Sequence, residues 1–339
     1  MEIAIEHRPA SHCENGVTAG LLRFHGYDYS EPLIFGLSAS LYFVYMPFMK
    51  LSGYPLVSFR PVPGTVFARV TRLLGFKIHK EKFFNKKNGA KKLDELLEKG
   101  IPTGCVVGIY YLPYFPIEYR NHFNAHNLLV IGKKDDIYQI SDPVFTEKVT
   151  LSSSDMQRVR FAKGSYPPMG KLYWIKSVPK AEPDMNTLVR KAILKNCYRM
   201  VRQPGPVPYI GVNAFKYLGN KIPKFPEKYG EKKAILHLTQ LIRMMEEIGT
   251  GGAGFRFLYA AFLQEASEIT GISELNDFSQ RMTDIGDQWR AFAAEAGRIC
   301  KKRSAEGVNY QTIGDQLKAI GKQEELFFTD LEKVIKNHS

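Results

Sequence analysis

Apolar residues recur at helical spacing near the start of the chain, in the segment "CENGVTAGLLRFHG". Val17, Leu21 and Phe24 fall on one side of a helix, and Gly26 supplies a stop signal. The pattern predicts a helix that begins at or just before Cys13.

Short helical and strand patterns alternate from there to about residue 178. "GTVFARVTRLLG" and "GAKKLDELLEKG" are typical of helices, whereas "FKIHKEKF", "GCVVGIYYL" and "GKLYWIK" are typical of strands. "HNLLVIGKKDDIYQISDPVF" predicts two strands around a turn at residues 133–136. We therefore expect an α+β domain over residues 1–178.

One aromatic and proline-containing region, which ends near residue 60, predicts no regular element. Its aromatic side chains either line an apolar channel or belong to the hydrophobic core, and aromatic residues are more often found in the core. These residues are Phe35, Tyr42, Phe43, Tyr45 and Phe48.

Beyond residue 178 the pattern becomes almost wholly helical. The segment "SVPKAEPDM", residues 177–185, has two prolines and no apolar periodicity, which is typical of a linker. Helices are expected at about 187–202, 230–248, 253–270, 274–304 and 309–336, with a proline-rich interruption at 204–226. These features predict a helical domain over residues 184–339.

The first residues lack the basic start, apolar run and cleavage site of a secretory signal. The longest apolar stretch, residues 41–49, is broken by Pro47 and is too short to span a membrane. A soluble cytoplasmic protein is therefore expected.

Four scattered cysteines, with no Cys-x-x-Cys pair, predict free thiols and neither a disulfide framework nor a zinc site. His122 and His126 have metal-ligand spacing, but the segment between them is predicted to be a loop and no HExxH motif is present. No metal is therefore expected.

The net charge is +13, and the excess is concentrated in residues 69–92, which carry nine Lys or Arg and one acidic residue. Such a segment either attracts an acidic partner or forms only a solvated face. No nucleic-acid-binding pattern accompanies it, so nucleic acid is not expected as the partner. The candidate docking residues are Arg69, Arg72, Lys77, Lys80, Lys82, Lys86 and Lys87.

A cysteine, a histidine and an aspartate fall at positions that suit a catalytic triad. Cys13 stands at a predicted helix start, where unpaired amides and the helix dipole favour the thiolate. His126 begins the predicted hairpin and Asp142 ends it, so antiparallel pairing brings them together. Asp142 is then expected to accept the Nδ1 proton of His126 and to leave Nε2 facing Cys13. The alternatives are a packing cysteine, a loop-capping histidine and a turn aspartate.

Three segments resemble the family typified by butirosin biosynthesis protein H: "SHCENGVTAGLL", "AHNLLVIGKKDDIYQISDP" and "GTGGAGFRFLYAAFLQEAS". The resemblance covers nearly the whole chain. It implies an α+β, papain-like cysteine peptidase-type N-terminal domain joined to a mostly α-helical C-terminal domain.

The same resemblance implies acyl transfer. Cys13 would take an acyl group from the phosphopantetheine thioester of an acyl carrier protein, and a small-molecule amine or hydroxyl acceptor would then resolve the acyl-enzyme. His126 would act as the base and Asp142 would orient it. No bound cofactor is implied, because the phosphopantetheine arm arrives with the carrier protein. Carrier proteins are typically acidic, so residues 69–92 become a candidate docking surface, with a solvated face as the alternative.

An oxyanion needs donors where negative charge develops, and the backbone amide of Cys13 is one expected donor. In the related peptidases a glutamine a few residues before the cysteine often supplies the other, and here that position is His7. The candidates for the second donor are His7, His12 and Asn15, with helix capping as the alternative role of His12.

Two further functions fit the same residues. A peptidase or amide hydrolase with this triad would discharge the acyl group to water. A non-catalytic carrier-binding protein would keep the basic surface and tolerate the loss of Cys13.

The glycine-rich segment "GTGGAGFRFLY", residues 249–259, also allows two interpretations. It either binds phosphate through its amides and Arg256, or permits close approach of a helix to the first domain. The second is favoured, because the segment lacks the ending of a Walker loop.

Overall fold

Helices and strands alternate in the first half of the chain, and helices dominate the second half. The computed structural model describes residues 2–51, 53–203 and 205–338. Its helices are α1 (Cys13–Phe24), α2 (Glu31–Leu37), α3 (Thr65–Leu73), α4 (Lys86–Glu98), α5 (Ser153–Arg160), α6 (Met185–Cys197), α7 (Gly211–Lys221), α8 (Phe225–Tyr229), α9 (Glu231–Glu246), α10 (Arg256–Thr270), α11 (Glu274–Cys300) and α12 (Tyr310–Asn337). Its strands are β1 (Val44–Leu51), β2 (Tyr54–Ser58), β3 (Lys77–Glu81), β4 (Thr103–Val107), β5 (His126–Lys134), β6 (Ile137–Ser141), β7 (Val149–Ser152) and β8 (Leu172–Ser177). This distribution confirms the predicted combination of an α+β N-terminal part and a mostly α-helical C-terminal part.

The chain divides into two units, and each of them consists of two separate segments of the sequence. The first unit comprises Met1–Ile34 and Pro63–Pro183, and the second comprises Phe35–Val62 and Asp184–Ser339. The boundary at Pro183 falls inside the predicted linker. The contiguous division into residues 1–178 and 184–339 is wrong for the 35–62 segment, because Phe35, Phe43 and Phe59 of that segment pack into the core of the second unit.

A six-stranded sheet runs through the first unit in the order β3-β8-β4-β5-β6-β7, and neighbouring strands are antiparallel throughout. Helix α1 packs on β5, and a Cβ added at Gly20 would lie 3.3 Å from the Leu129 side chain. Leu129 pairs with Ser141 of β6, so the first residue of β5 and the residue after β6 lie at the same end of the hairpin. The hairpin predicted from the sequence is therefore confirmed.

The hairpin of β1 and β2 belongs to the second unit and was not predicted. Pro47 lies inside β1, where the register shifts between Met46 and Lys50, so the alternation typical of a strand is interrupted in the sequence. Helix α7 was also missed, because it lies within the proline-rich interruption at 204–226.

Aromatic side chains form much of the core of the second unit. Phe43 stacks on Phe215 with 4.4 Å between ring centroids, and Phe35 stacks on Phe255 at 4.9 Å. Both Phe35 and Phe43 are fully buried, whereas Phe48 is 65% exposed. The core interpretation therefore holds for Phe35 and Phe43.

The glycine-rich segment supplies one side chain of a buried ion pair in the second unit. Both side chains of the pair, Arg256 and Glu324, are fully buried, with 2.9 Å between Arg256 Nη2 and Glu324 Oε2. Trp289 Nε1 donates to the same carboxylate over 2.8 Å. Gly254 has φ +57°, and a Cβ there would lie 2.2 Å from the Phe59 ring. The segment thus permits close approach, but to Phe59 of the same unit, and the guanidinium of Arg256 is committed to Glu324 and is not offered to a phosphate.

Among the described residues, none of the helices combines the length and the apolar character needed to cross a membrane.

Candidate active site

Cys13 occupies the first turn of α1, as the sequence predicts. His12 is the N-cap residue, and its Nδ1 accepts the backbone N–H of Asn15 over 3.4 Å. Cys13 is buried, with 8% of its surface exposed. The positive end of the helix dipole therefore lies beside a sulfur that is largely shielded from water.

His126 links Cys13 to Asp142. Its Nε2 lies 2.8 Å from Asp142 Oδ2, and its side chain also forms a hydrogen bond with Cys13. Because Nε2 is engaged by Asp142, Nδ1 is the nitrogen left for the sulfur. The predicted orientation, with Nδ1 toward Asp142, is wrong. Nε2 is farther from the backbone than Nδ1, so it reaches across the hairpin to Asp142, while Nδ1 stays near α1.

The electrostatic surroundings of His126 favour the protonated form of its imidazole. Burial lowers the pKa of His126, but the Asp142 carboxylate and the Cys13 sulfur raise it, and the net effect raises that pKa from 6.5 to about 10. The imidazolium therefore dominates at neutral pH. Such a cation beside Cys13 favours the thiolate form of that residue.

Gly16 allows the end of the hairpin to approach α1. A Cβ at this position would lie 2.4 Å from Pro143 Cβ, closer than two carbon atoms can pack. The backbone N–H of Ala10 donates to Pro143 O over 2.6 Å on the same side. The glycine in the "CENG" segment therefore lets Asp142, which precedes Pro143, lie close to the helix that carries Cys13.

Two aromatic residues of the loop between β4 and β5 complete the surroundings of the histidine. Tyr114 Oη donates to Asp142 Oδ2 over 2.8 Å, and the ring of Phe115 packs edge-on against His126 with centroids 5.4 Å apart. Burial and the neighbouring Asp142 carboxylate raise the pKa of Tyr114 well above 10, so this phenol remains a donor. The sequence analysis missed Tyr114, whose only signal was an aromatic, proline-rich loop just before His126.

His7 is not available as an oxyanion donor. Its Nε2 lies 3.0 Å from the carbonyl of Phe145, which only accepts, and its Nδ1 lies 2.8 Å from Ser141 Oγ. Both ring nitrogens are therefore used to hold the N-terminal segment against the chain on either side of Asp142.

Asn15 and the loop before Cys13 are tied to Glu31. The Glu31 carboxylate accepts the backbone N–H groups of Ser11 and His12, each over 2.8 Å, and the Asn15 amide over 3.4 Å. Burial raises the pKa of Glu31, while these hydrogen bonds act in the opposite direction. Asn15 therefore supports the loop through Glu31. Of the three predicted second donors, His12 carries its ring N–H on Nε2, because its Nδ1 accepts from the Asn15 amide.

Glu14 connects the start of α1 to the start of α3. Its buried carboxylate accepts the backbone N–H groups of Gly64, Val66 and Phe67 over 3.0, 2.8 and 3.3 Å. Gly64 is the N-cap residue of α3 and has no side chain to perform this task. The residue after Cys13 is thus an N-cap supplied from another helix, a role that the sequence analysis did not assign.

The predicted basic docking residues lie on α3, on β3, on the loop that follows it and at the start of α4. All are exposed except Arg69, which is half-buried. Lys80 Nζ lies 3.4 Å from the carbonyl of Gly64, and burial together with the Lys171 ammonium lowers the pKa of Lys80. The first unit therefore carries an exposed, strongly positive surface.

Within the described ranges, no group of three or more His, Cys, Asp or Glu side chains is arranged to hold a metal ion. His122, which has metal-ligand spacing from His126, stacks on Tyr110 with 4.1 Å between ring centroids.

These features define a protein with a cysteine–histidine–aspartate site on a mixed α/β unit and with a second, mostly helical unit. Residues 154–331, more than half of the chain, match the family model described as domain of unknown function DUF4872, and the chain belongs to this family. Residues 12–143 match the model of the N-terminal region of butirosin biosynthesis protein H, which confirms the resemblance seen in the sequence.

Among solved structures, a protein from Bacillus anthracis described as a C39-like peptidase is similar to 53% of this chain and 92% of its own, with 14% identity and a TM-score of 0.36. No curated protein matches the chain significantly.

Proposed function

We propose that this protein is a cysteine-dependent acyltransferase, which moves an acyl group from an acyl carrier protein thioester to a small-molecule amine or hydroxyl acceptor. The observation that carries the proposal is the hydrogen-bonded chain from the Cys13 sulfur through His126 to Asp142. The family resemblance supports acyl transfer as the reaction on this site.

In the first half-reaction, the Cys13 thiolate attacks the carbonyl carbon of the carrier thioester, and a carbon–sulfur bond forms. The tetrahedral intermediate collapses with cleavage of the bond to the phosphopantetheine sulfur. The imidazolium of His126 gives its proton to this leaving thiolate. The products are the acyl-Cys13 thioester and the free carrier thiol, and His126 is left neutral.

In the second half-reaction, neutral His126 takes a proton from the amine or hydroxyl of the acceptor as this group attacks the acyl-Cys13 carbonyl. The Cys13 thiolate leaves, and the initial imidazolium–thiolate pair is restored. Asp142 holds the ring of His126 in one orientation and stabilises its positive charge in both steps.

Charge on the oxyanion is stabilised by the backbone N–H of Cys13, at the start of α1. His12 Nε2 is the side-chain donor that we assign to the second position. Carrier docking is assigned to the exposed basic residues of α3, β3 and α4, because carrier proteins are typically acidic.

The first experiment is intact-protein mass spectrometry after mixing the protein with acyl-loaded carrier proteins. Wild type and the Cys13→Ala variant are compared, with Cys105→Ala as the matched control, since Cys105 is another buried thiol of the same unit. A mass increase equal to the acyl group is expected in wild type and Cys105→Ala, and its absence is expected in Cys13→Ala.

The fate of that adduct separates the competing functions. Rapid loss only when an amine or alcohol is added supports transfer, whereas equal loss in buffer alone identifies a hydrolase. Carrier binding without an adduct on Cys13 from any donor would contradict the proposal and favour a non-catalytic binding protein.

A further inference from the structure

A second side chain, besides that of His126, reaches the sulfur of Cys13. Asn127 follows His126 on β5 and is 2% exposed. Its Nδ2 lies 3.8 Å from Cys13 Sγ and 3.1 Å from the carbonyl of Ala125, and its Oδ1 lies 2.8 Å from Tyr173 Oη. Both polar atoms of the Asn127 amide are therefore engaged within the protein.

The hydrogen-bonding capacity of these partners determines which terminal atom of Asn127 is the nitrogen and which is the oxygen. The Ala125 carbonyl only accepts hydrogen bonds, so the atom beside it must be the Asn127 nitrogen. The second N–H of that nitrogen is then directed at the Cys13 sulfur, which acts as the acceptor. Because Oδ1 accepts as well, the Tyr173 hydroxyl must donate to it. Burial raises the pKa of Tyr173 well above 10, so this donor keeps its proton.

Tyr173 reaches Asn127 across an intervening strand. Tyr173 lies on β8 and pairs with Gly104 of β4, which in turn pairs with Leu129 of β5. A Cβ at Gly104 would lie 2.3 Å from the Tyr173 ring, so only glycine leaves room for the ring over β4. Asn127 is two residues from Leu129 and therefore lies on the same face of β5. The position of the Tyr173 hydroxyl thus depends on the sheet order.

We propose that Asn127, oriented by Tyr173, is a positioning residue that donates a hydrogen bond to the Cys13 sulfur and stabilises its thiolate. The inference rests on the proposed function only in that Cys13 is the nucleophile. A sulfur that accepts from Asn127 has its own proton directed to the remaining partner, His126 Nδ1. Transfer of that proton gives a thiolate held by one neutral donor and one cationic donor.

The ionisable groups that act on this sulfur come from several elements. They are His126 of β5, Tyr173 of β8 and, through His126, Asp142 after β6. Of these, only the His126 cation favours the thiolate by its charge. A neutral donor that also favours the thiolate is therefore expected to lower the pKa of Cys13 measurably.

The test is the pH dependence of Cys13 alkylation by iodoacetamide without substrate, followed by peptide mass spectrometry so that each cysteine is measured separately. Asn127→Leu is expected to raise the pH midpoint of labelling by about one to two units, since a hydrogen bond to a charged group contributes about 1.5–3 kcal/mol and one pKa unit corresponds to about 1.4 kcal/mol. Tyr173→Phe, which removes one oxygen atom, is expected to raise it by about half a unit.

Tyr138→Phe is the matched control, because Tyr138 is also a buried tyrosine of the sheet, but its hydroxyl donates to Asp94 over 2.6 Å. Its labelling midpoint is expected to equal that of wild type. Unchanged midpoints in Asn127→Leu and Tyr173→Phe, or an equal shift in Tyr138→Phe, would overturn the inference. If Asn127→Leu does not fold, Tyr173→Phe alone decides the outcome.

The result is independent of the acyl donor. Shifted midpoints in the variants, with no acyl adduct on the wild type, would sustain the inference and reject the proposed substrate. A wild-type midpoint near the ordinary thiol value of about 8.5 would contradict both the inference and the activated nucleophile on which the proposed function depends.

Discussion

At the residue scale, the two nitrogens of one imidazole have separate tasks. Nε2 of His126 is held by Asp142, and Nδ1 faces the Cys13 sulfur. Asp142 is fully buried, and Tyr114 donates to the same oxygen that His126 engages. The Asp142 carboxylate therefore holds the ring in one orientation and is one of the groups that raise its pKa.

Asp142→Asn is expected to lower the pKa of His126, because the variant removes the negative charge that raises it. In wild type the imidazolium needed to protonate the leaving thiol persists below about pH 10, so the rate of Cys13 acylation should fall only as the pH rises through about 10. In the variant this fall should occur at lower pH, and the rate at pH 7 should drop on the order of a hundredfold or more. Single-turnover acylation between pH 6 and 11 measures both effects.

The control is Tyr114→Phe, which keeps the carboxylate and removes only one of its two side-chain donors. Its high-pH limb should stay near that of wild type. An Asp142→Asn variant with a wild-type pH profile would show that Asp142 does not act on His126.

At the element scale, α1 organises its neighbours through the four residues of "CENG". Glu14 supplies the missing cap of α3, and Gly16 leaves room for Pro143 after the hairpin. The start of α1 is thus connected both to the basic helix α3 and to the strand ends that hold the histidine and the aspartate.

Glu14→Gln is expected to destabilise the fold by about 1–3 kcal/mol. The glutamine has the shape of glutamate, but one of its terminal atoms is a donor, which would face a backbone N–H that now finds an acceptor. Urea unfolding measures the loss. The control Glu95→Gln changes an ion pair with Lys92 on the surface of α4 and should alter the stability by less than about 0.5 kcal/mol. Equal effects of the two substitutions would refute the capping role.

At the scale of the whole molecule, the chain passes from the first unit into the second after Ile34 and returns to the first unit at Pro63. Residues 35–62 belong to the second unit, where Phe43 and Phe59 are buried. The first unit is therefore assembled from two separate parts of the sequence.

A chain that ends at Pro183 is expected to aggregate, because it keeps residues 35–62 but lacks the helices that bury Phe35, Phe43 and Phe59. Replacing residues 35–62 of this shortened chain by a Gly/Ser linker should restore a monomer. Size-exclusion chromatography distinguishes the two chains. A monomeric shortened chain that still contains residues 35–62 would contradict the discontinuous division.

The proposed docking of a carrier protein on the basic surface is also tested at the scale of the whole molecule. Lys86→Glu with Lys87→Glu is expected to raise the KM for the carrier several-fold and to weaken its dependence on salt, with little change in kcat. Lys301→Glu with Lys302→Glu makes the same change of charge at exposed positions of the second unit and should leave the KM near wild type. Equal effects of the two pairs would indicate a response to net charge and not to a docking surface.

Local sequence patterns were sufficient to predict much of the secondary structure that carries the site. The helix at Cys13, the hairpin that joins His126 to Asp142 and the linker before residue 184 all follow from periodicity, turn residues and prolines within a few positions. Each is encoded locally, because a helix or a hairpin satisfies its backbone hydrogen bonds between residues that are close in sequence.

The features of the site that the sequence did not predict depend on contacts between residues that are distant in the chain. The ring orientation of His126, the use of both His7 nitrogens, and the reach of Tyr173 over Gly104 to Asn127 join positions that lie far apart in the chain. No local sequence pattern encodes these contacts, because they depend on the order of the strands in the sheet and on the space that a glycine leaves where another residue would have a Cβ. The sequence by itself therefore determined which elements carry the site, and only the tertiary structure decided which atoms of those elements meet.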